Sequence, residues 1–277
     1  MSTPTPSADV PIEILRDDFA RGQFRAVLFD FDGTLSLIRR NWQDVMIPMM
    51  VDVLAALDSG ESREQLAEHV EEFVMRLNGK QTIYQMIQLA DEVRSRGGTP
   101  LEPLQYKHQY HDRLWEQVGQ RIEAVRSGAH SAEETTVPGT HDLLTALRDR
   151  GLQLYLASGT DLKYVRDEVA VLGLNEFFGE HIYGALDDYQ NFSKKMIIEQ
   201  IVHDAGVPGH QLLGIGDGFV EIEEIRRAGG VAIGVASNEE TRSGVNQWKR
   251  ERLIRAGADL IIPDYRHRDD LFTILGL

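Results

Sequence analysis

Residues 26–35 read Ala26-Val27-Leu28-Phe29-Asp30-Phe31-Asp32-Gly33-Thr34-Leu35. Apolar side chains run without a break into one acid, and a second acid follows two residues later, just ahead of a glycine. A short continuous apolar run of this kind reads as a strand buried on both faces, with the glycine opening the turn that ends it. The alternative, a turn carrying solvated or capping acids, sits poorly with the apolar strand before it and Gly-Thr after it.

Working outward, the chain beyond residue 137 repeats this texture. Apolar runs at 152–157, 212–215, 231–236 and 259–262 have the length of strands. The amphipathic stretches 140–150, 161–172, 194–206 and 219–228 read as helices, stopped by Gly151, Gly173, Gly206 and Gly229. Alternation of this sort predicts a parallel sheet with helices on both faces. Residues 37–134 differ: Val45, Met50, Val51 and Leu54, then Leu66, Val70, Phe73 and Leu77, then Ile83, Met86, Ala90 and Val93 recur at helical spacing, and a helix is expected near 104–125. The expectation is an all-helical insert spliced after the first strand of an α/β domain, ending in the polar stretch 127–136 before Pro138-Gly139.

Open parallel sheets bind ligands beyond the carboxyl ends of their strands. Three such ends converge here: Asp30 to Thr34, Ser158-Gly159, and Gly216-Asp217-Gly218-Phe219-Val220-Glu221. Two carboxylates two residues apart suit phosphoryl transfer, one attacking phosphorus and the other passing protons. Crowded acids facing a phosphate call for a hard cation, with Asp30, Asp217 and Glu221 as candidate Mg²⁺ ligands. Gly33 and Gly159 allow backbone N–H groups near phosphate oxygens, Ser158 adds a donor, and Lys194, opening a predicted helix after Ser193, is placed to supply balancing charge, with Lys195 the nearby rival. The spacing Gly214-x-Gly216-x-Gly218 does not fit a dinucleotide fingerprint. His108 and His111, with Tyr106 and Tyr110, are expected to serve packing or solvent exposure.

These residues resemble the motifs of the haloacid dehalogenase-like (HAD) hydrolase superfamily, over about residues 24–262. Asp30-Phe-Asp-Gly-Thr-Leu is similar to its first motif, and Ser158, Lys194 and Gly216-Asp-Gly-x-x-Glu follow in its order. The helical insert resembles the cap of the phosphoglycolate phosphatase and β-phosphoglucomutase type. The resemblance implies a Rossmann-like parallel-sheet core, 20–36 and 138–277, and a helical cap domain, 37–137, while the Pro-, Ser- and Thr-rich start suggests a flexible N-terminal tail, 1–19. It implies Asp30 as nucleophile forming an aspartyl-phosphate, Asp32 as general acid/base, and Ser158 and Lys194 holding the phosphoryl group, with Gly33, Thr34 and Gly159 beside it. Asp30, the Asp32 carbonyl and Asp217 would bind Mg²⁺, and Glu221, standing where the family usually has Asp, is a weaker ligand candidate. Residues 77–81 resemble a cap specificity loop, which makes Lys80 a candidate substrate contact; Arg39 and Arg40 stand ready for a second anionic group. The expected activity is hydrolysis of a small phosphorylated metabolite. A phosphomutase is the alternative, disfavoured by Trp42 where the mutases carry a histidine near the start of the cap, and Asp32 argues against haloalkanoate dehalogenation.

The balance of charge agrees with this reading only in part. There are 29 Lys and Arg against 44 Asp and Glu, a formal charge of −15, and no cysteine. Such an excess argues against nucleic acid and anionic membranes as partners. The missing cysteines exclude disulfides, thiolate metal sites and thiol nucleophiles. No apolar run is long enough to span a bilayer, and residues 1–9 lack the basic and apolar regions of a signal peptide, so a cytoplasmic location is expected. The sequence carries no signal for the oligomeric state.

Overall fold

The computed structural model of the chain describes residues 12–186, 194–204 and 206–277. Seven strands among them form one sheet: β1 (Glu13–Ile14), β2 (Ala26–Phe29), β3 (Gln153–Asp161), β4 (Ile182–Ala185), β5 (Leu212–Gly216), β6 (Val231–Val235) and β7 (Leu260–Ile262), in spatial order β1-β7-β6-β5-β2-β3-β4. All pairings are parallel except β1 with β7. Strand β2 sits between β3 and β5, so the acids that follow it emerge beside the ends of two neighbours.

Alternate residues of β2 enter opposite cores. Val27 and Phe29 join the cluster that includes Leu143, Val165, Phe178 and Leu271. Ala26 and Leu28 join the one holding Ile197, Ile222 and Leu253. This is the two-residue period of a strand covered on both faces. One layer is made by α5 (Thr140–Asp149), α6 (Leu162–Val171), α7 (Asn175–Phe178) and α11 (Arg268–Leu275). The other is made by α8 (Lys194–Asp204), α9 (Phe219–Arg227) and α10 (Gln247–Ala256).

Four helices lie between β2 and α5: α1 (Gln43–Ala55), α2 (Arg63–Leu77), α3 (Thr82–Ser95) and α4 (Pro103–Arg126). Ser62 and Gln65 form a reciprocal cap at the start of α2, and Pro103 opens α4, where its missing N–H costs nothing. Met49, Leu54, Val70, Met86, Leu114 and Val118 are buried among these helices. The chain leaves and rejoins the sheet module side by side. Leu37 N–H donates to the Thr135 carbonyl at 2.8 Å and Val137 N–H to the Leu35 carbonyl at 3.0 Å, around a bridge between Ser36 and Thr136.

Two expectations change. Residues 12–16, read as part of a tail, are tied down: Ile12 is buried, Glu13 and Ile14 pair with Ile261 and Leu260, and the N–H groups of Leu15 and Arg16 reach the Asp259 carbonyl. A two-residue edge pairing carries too few apolar residues to register as a strand in sequence. Strand β4 escaped notice for a similar reason, since Ile-Tyr-Gly-Ala contains a glycine. That glycine is needed, because a Cβ on Gly184 would lie 2.5 Å from the Leu162 Cα. Residues 1–11, most of the expected tail, lie outside the described residues.

Candidate active site

Asp30 leaves the end of β2 with its N–H donated to the Ile215 carbonyl at 3.0 Å, and its side chain is buried. Asp217 follows β5 next door. Carboxylate oxygens of Asp30, Asp217 and Glu221 lie within 4.8 Å of one another, close enough for three hard oxygen donors to share one divalent cation. Glu221, buried in the first turn of α9, also accepts the Gly218 N–H at 2.5 Å, so one of its oxygens closes the helix N-terminus.

Asp32 occupies a different environment. Its Oδ2 accepts from Thr160 Oγ1 at 2.9 Å and from Ser158 Oγ at 3.3 Å. Among the described residues its Oδ1 is buried without a hydrogen bond, and Arg39 Nε stands 3.8 Å away. Burial raises the Asp32 carboxyl above its ordinary range, opposed by Arg39 and by the two hydroxyls. Oδ2 is therefore fixed by two hydroxyls, while Oδ1 is enclosed near Arg39 and the residue as a whole lines the cavity.

The loop between the two acids and helix α1 has other work than phosphate binding. Gly33 lines the cavity, and its own N–H donates to the Ser36 carbonyl at 2.9 Å. Its φ is +73°, and a Cβ there would fall 2.2 Å from Asp217 Oδ2. Glycine is present because the acid needs the space. Thr34, expected beside the phosphoryl group, is fully buried and braces the same acid. Its Oγ1 accepts from the Asp217 N–H at 2.9 Å and lies 3.5 Å from Asp217 Oδ1.

Arg39 is likewise committed. It lines the cavity, but its guanidinium forks onto buried Glu168, at 2.6 Å from Nη2 to Oε1 and 3.0 Å from Nε to Oε1. Burial opposes its charge, but Glu168 and Asp32 outweigh that and hold it protonated. Its neighbour Arg40 passes its carbonyl to Arg121 at 2.9 Å. Gly159 lines the cavity, and a Cβ on it would lie 3.2 Å from the Lys80 carbonyl. Lys80 is exposed at the rim, with Nζ 5.9 Å from the Tyr84 ring. Lys194 begins α8, but its side chain lies outside the described residues; Lys195 is exposed and pairs with Glu199 at 3.7 Å.

A lysine not anticipated from sequence stands in the site. Lys249 Nζ lies 2.7 Å from Asp217 Oδ2, 2.6 Å from Glu239 Oε1 and 3.2 Å from Ser237 Oγ, and Ser237 donates to the Gly33 carbonyl at 2.8 Å. Burial works against its charge, but Asp217 and Glu239 overcome that and raise its pKa. The one available signal was helical register. Lys249 falls four residues before fully buried Leu253, on the inward stripe of α10.

Above these residues a cavity of about 450 Å³ opens between sheet and helices. Trp42, Met46, Gln85, Tyr110 and His111 line its helical side. His111 stacks on Tyr164 at 3.9 Å, and burial first, then Arg39 and Lys107, lower its pKa to about 4. Lys107 pairs with Asp161 across the two modules. His111, expected to serve packing or solvent exposure, thus lines the cavity together with Trp42.

The model of the haloacid dehalogenase-like hydrolase family matches residues 24–229. Among solved structures, a predicted phosphoglycolate phosphatase from Haemophilus somnus is 17% identical, with a TM-score of 0.58, covering 90% of this chain and 98% of its own. A HAD family hydrolase from Deinococcus radiodurans, with bound phosphate and sodium, is 20% identical with a TM-score of 0.53, at 91% and 96% coverage. A β-phosphoglucomutase from Clostridium difficile is 14% identical with a TM-score of 0.53, at 84% and 98% coverage. At these identities the likeness is one of fold. No match was found among curated proteins. Among the described residues no helix is long and apolar enough to cross a membrane.

Proposed function

Because the chain belongs to the haloacid dehalogenase-like hydrolases, we propose that it is a Mg²⁺-dependent phosphomonoesterase working through an aspartyl-phosphate. The observation that carries this reading is the unlike setting of its two neighbouring acids. Asp30 clusters with Asp217 and Glu221, whereas Asp32 lines the cavity with one oxygen gripped by two hydroxyls. A nucleophile and a proton carrier need that division.

In the first step an Asp30 oxygen attacks phosphorus and the ester P–O bond breaks. The departing alkoxide takes a proton from Asp32. In the second, water attacks phosphorus, its proton passes to the Asp32 carboxylate, and the bond to Asp30 breaks to release phosphate. Ser158 and Thr160 keep Asp32 facing the leaving group, and Ser158 with Lys194 is assigned to the phosphoryl oxygens. The hard carboxylate donors fit Mg²⁺, which Asp30, the Asp32 carbonyl and Asp217 would hold, with Glu221 at one remove; when bound it would offset the negative charge of the phosphate and acids.

The cavity favours a polyhydroxylated leaving group, such as a sugar, over a second strong anion. Arg39 and Lys107 already pair with Glu168 and Asp161, while Gln85, Tyr110 and Trp42 offer polar and aromatic surface. The mutase alternative requires interconversion of sugar phosphates, stimulated by a bisphosphate, to outpace phosphate release. The primary test is release of phosphate from p-nitrophenyl phosphate and from a panel of sugar phosphates with Mg²⁺. Activity is expected to vanish on chelation and in Asp30→Asn. Failure to turn over any member of the panel would remove the hydrolase assignment.

A further inference from the structure

Helix α10 brings a second basic side chain to the junction of the two modules, three residues after Lys249. The Arg252 guanidinium donates to the main-chain carbonyls of Met75, of Arg76 at 3.2 Å and of Asn78 at 2.6 Å. These belong to the last turn of α2 and the residue after it. The final carbonyls of a helix lack partners within it and carry the negative end of its dipole, so a cation is well placed there. The guanidinium is held in a slot between two aromatic rings, 4.7 Å from the centre of Phe219 and 5.1 Å from that of Trp248.

The segment it grips continues directly into the cavity rim. Gly79, at φ +90°, lies against the loop after β5, where an added Cβ would stand 3.4 Å from the Gly218 Cα and 3.5 Å from the Phe219 ring. The Lys80 carbonyl then approaches Gly159 on the other side of the site. Residues 78–80 thus bridge the ends of β5 and β3, the strands that deliver Asp217 and Ser158.

We infer that Arg252 is a positioning residue: by clamping the end of α2 it fixes where residues 78–80, with Lys80, stand over the reacting acids. Every group it meets on the helical module is a backbone oxygen, so the grip is independent of the side chains at 75–78. Arginine suits the task, since its planar fork spans three carbonyls that one lysine ammonium cannot satisfy together. The clamp itself stands apart from the activity; its kinetic effect rests on the phosphatase reading.

The test compares wild type, Arg252→Ala and Arg252→Lys by hydrogen–deuterium exchange and by steady-state hydrolysis of p-nitrophenyl phosphate and a hexose phosphate. In Arg252→Ala, amides across 75–81 are expected to exchange about tenfold faster while those of β2 and β5 are unchanged. KM should rise about tenfold with kcat within about twofold, the loss of one charged hydrogen-bonding group. Arg252→Lys should fall between. Unchanged exchange at 75–81 in either folded variant would overturn the clamp, as would a fall in kcat at constant KM. Should Arg252→Ala fail to fold, Arg252→Lys alone decides by the same exchange readout. If wild type hydrolyses no ester, the proposed function fails, and the exchange comparison still decides the clamp.

Discussion

Lys249 Nζ touches both Asp217, at 2.7 Å, and Glu239, at 2.6 Å, so an acid delivered by a strand is neutralised by a lysine delivered by a helix. Two carboxylates that would otherwise repel in a buried site are held together by one ammonium. Removing it leaves uncompensated buried charge. Lys249→Met is expected to lower unfolding free energy by about 3 kcal/mol. Adding Glu239→Gln should restore part of that loss, since the neutral amide no longer repels Asp217. Denaturant unfolding of the single and double variants measures the coupling.

Asp32 is expected to matter more to the second chemical step than to protein stability. In Asp32→Ala, attack by Asp30 retains its nucleophile while water loses its proton acceptor. Turnover should fall by about 10² to 10⁴, and intact-protein mass spectrometry after exposure to p-nitrophenyl phosphate, whose leaving group departs without a proton from Asp32, should show one added phosphoryl group. An unmodified mass together with wild-type turnover would take Asp32 out of this role.

Gly33→Ala tests the space around Asp217 rather than any contact with phosphate. The new methyl group would meet the acid's Oδ2 at 2.2 Å, in a backbone conformation that L-residues rarely adopt. Metal-dependent phosphate release should drop at least about tenfold, and stability should fall by more than about 1 kcal/mol. Calorimetric titration with Mg²⁺ should show weaker binding, because Asp217 is the group displaced.

His111 gives the protein a pH dependence of predictable sign. Its folded pKa is depressed to about 4, against an ordinary value near 6.5. Between those values the unfolded chain binds a proton that the folded one refuses, so the stability contributed by neutral His111 is lost as pH falls through that window. Thermal melts from pH 7 to pH 4 should show a declining midpoint, and the slope should be shallower in His111→Gln.

Five of the seven described strands were legible because they are buried and read as unbroken apolar runs, from 26–29 to 260–262, whereas β1 and β4 were not. The acids were legible because Asp30, Asp32 and Asp217 stand where such runs stop. What escaped was set by tertiary contact. Lys249 has no local mark beyond its register on α10, and Glu239 lies in a loop whose path the sequence does not reveal. The roles of Gly33 and Thr34 toward Asp217 were also hidden: Thr34 bonds an acid 183 residues away along the chain, and Gly33 leaves that acid its space. Arg39 looked like a free cation because Glu168, its counter-ion, sits on a helix from the other side of the insertion.

The paired passages at Leu35–Leu37 and Thr135–Val137 have a consequence for how this architecture can vary. The helical module departs and returns through backbone segments hydrogen-bonded to each other, so its two ends are already neighbours before any helix is added. Closing a loop whose ends meet grows costlier only slowly with its length. The module can therefore lengthen, shorten or be exchanged with little penalty to the sheet, letting the helical side of the cavity diversify while the strand ends keep one set of acids.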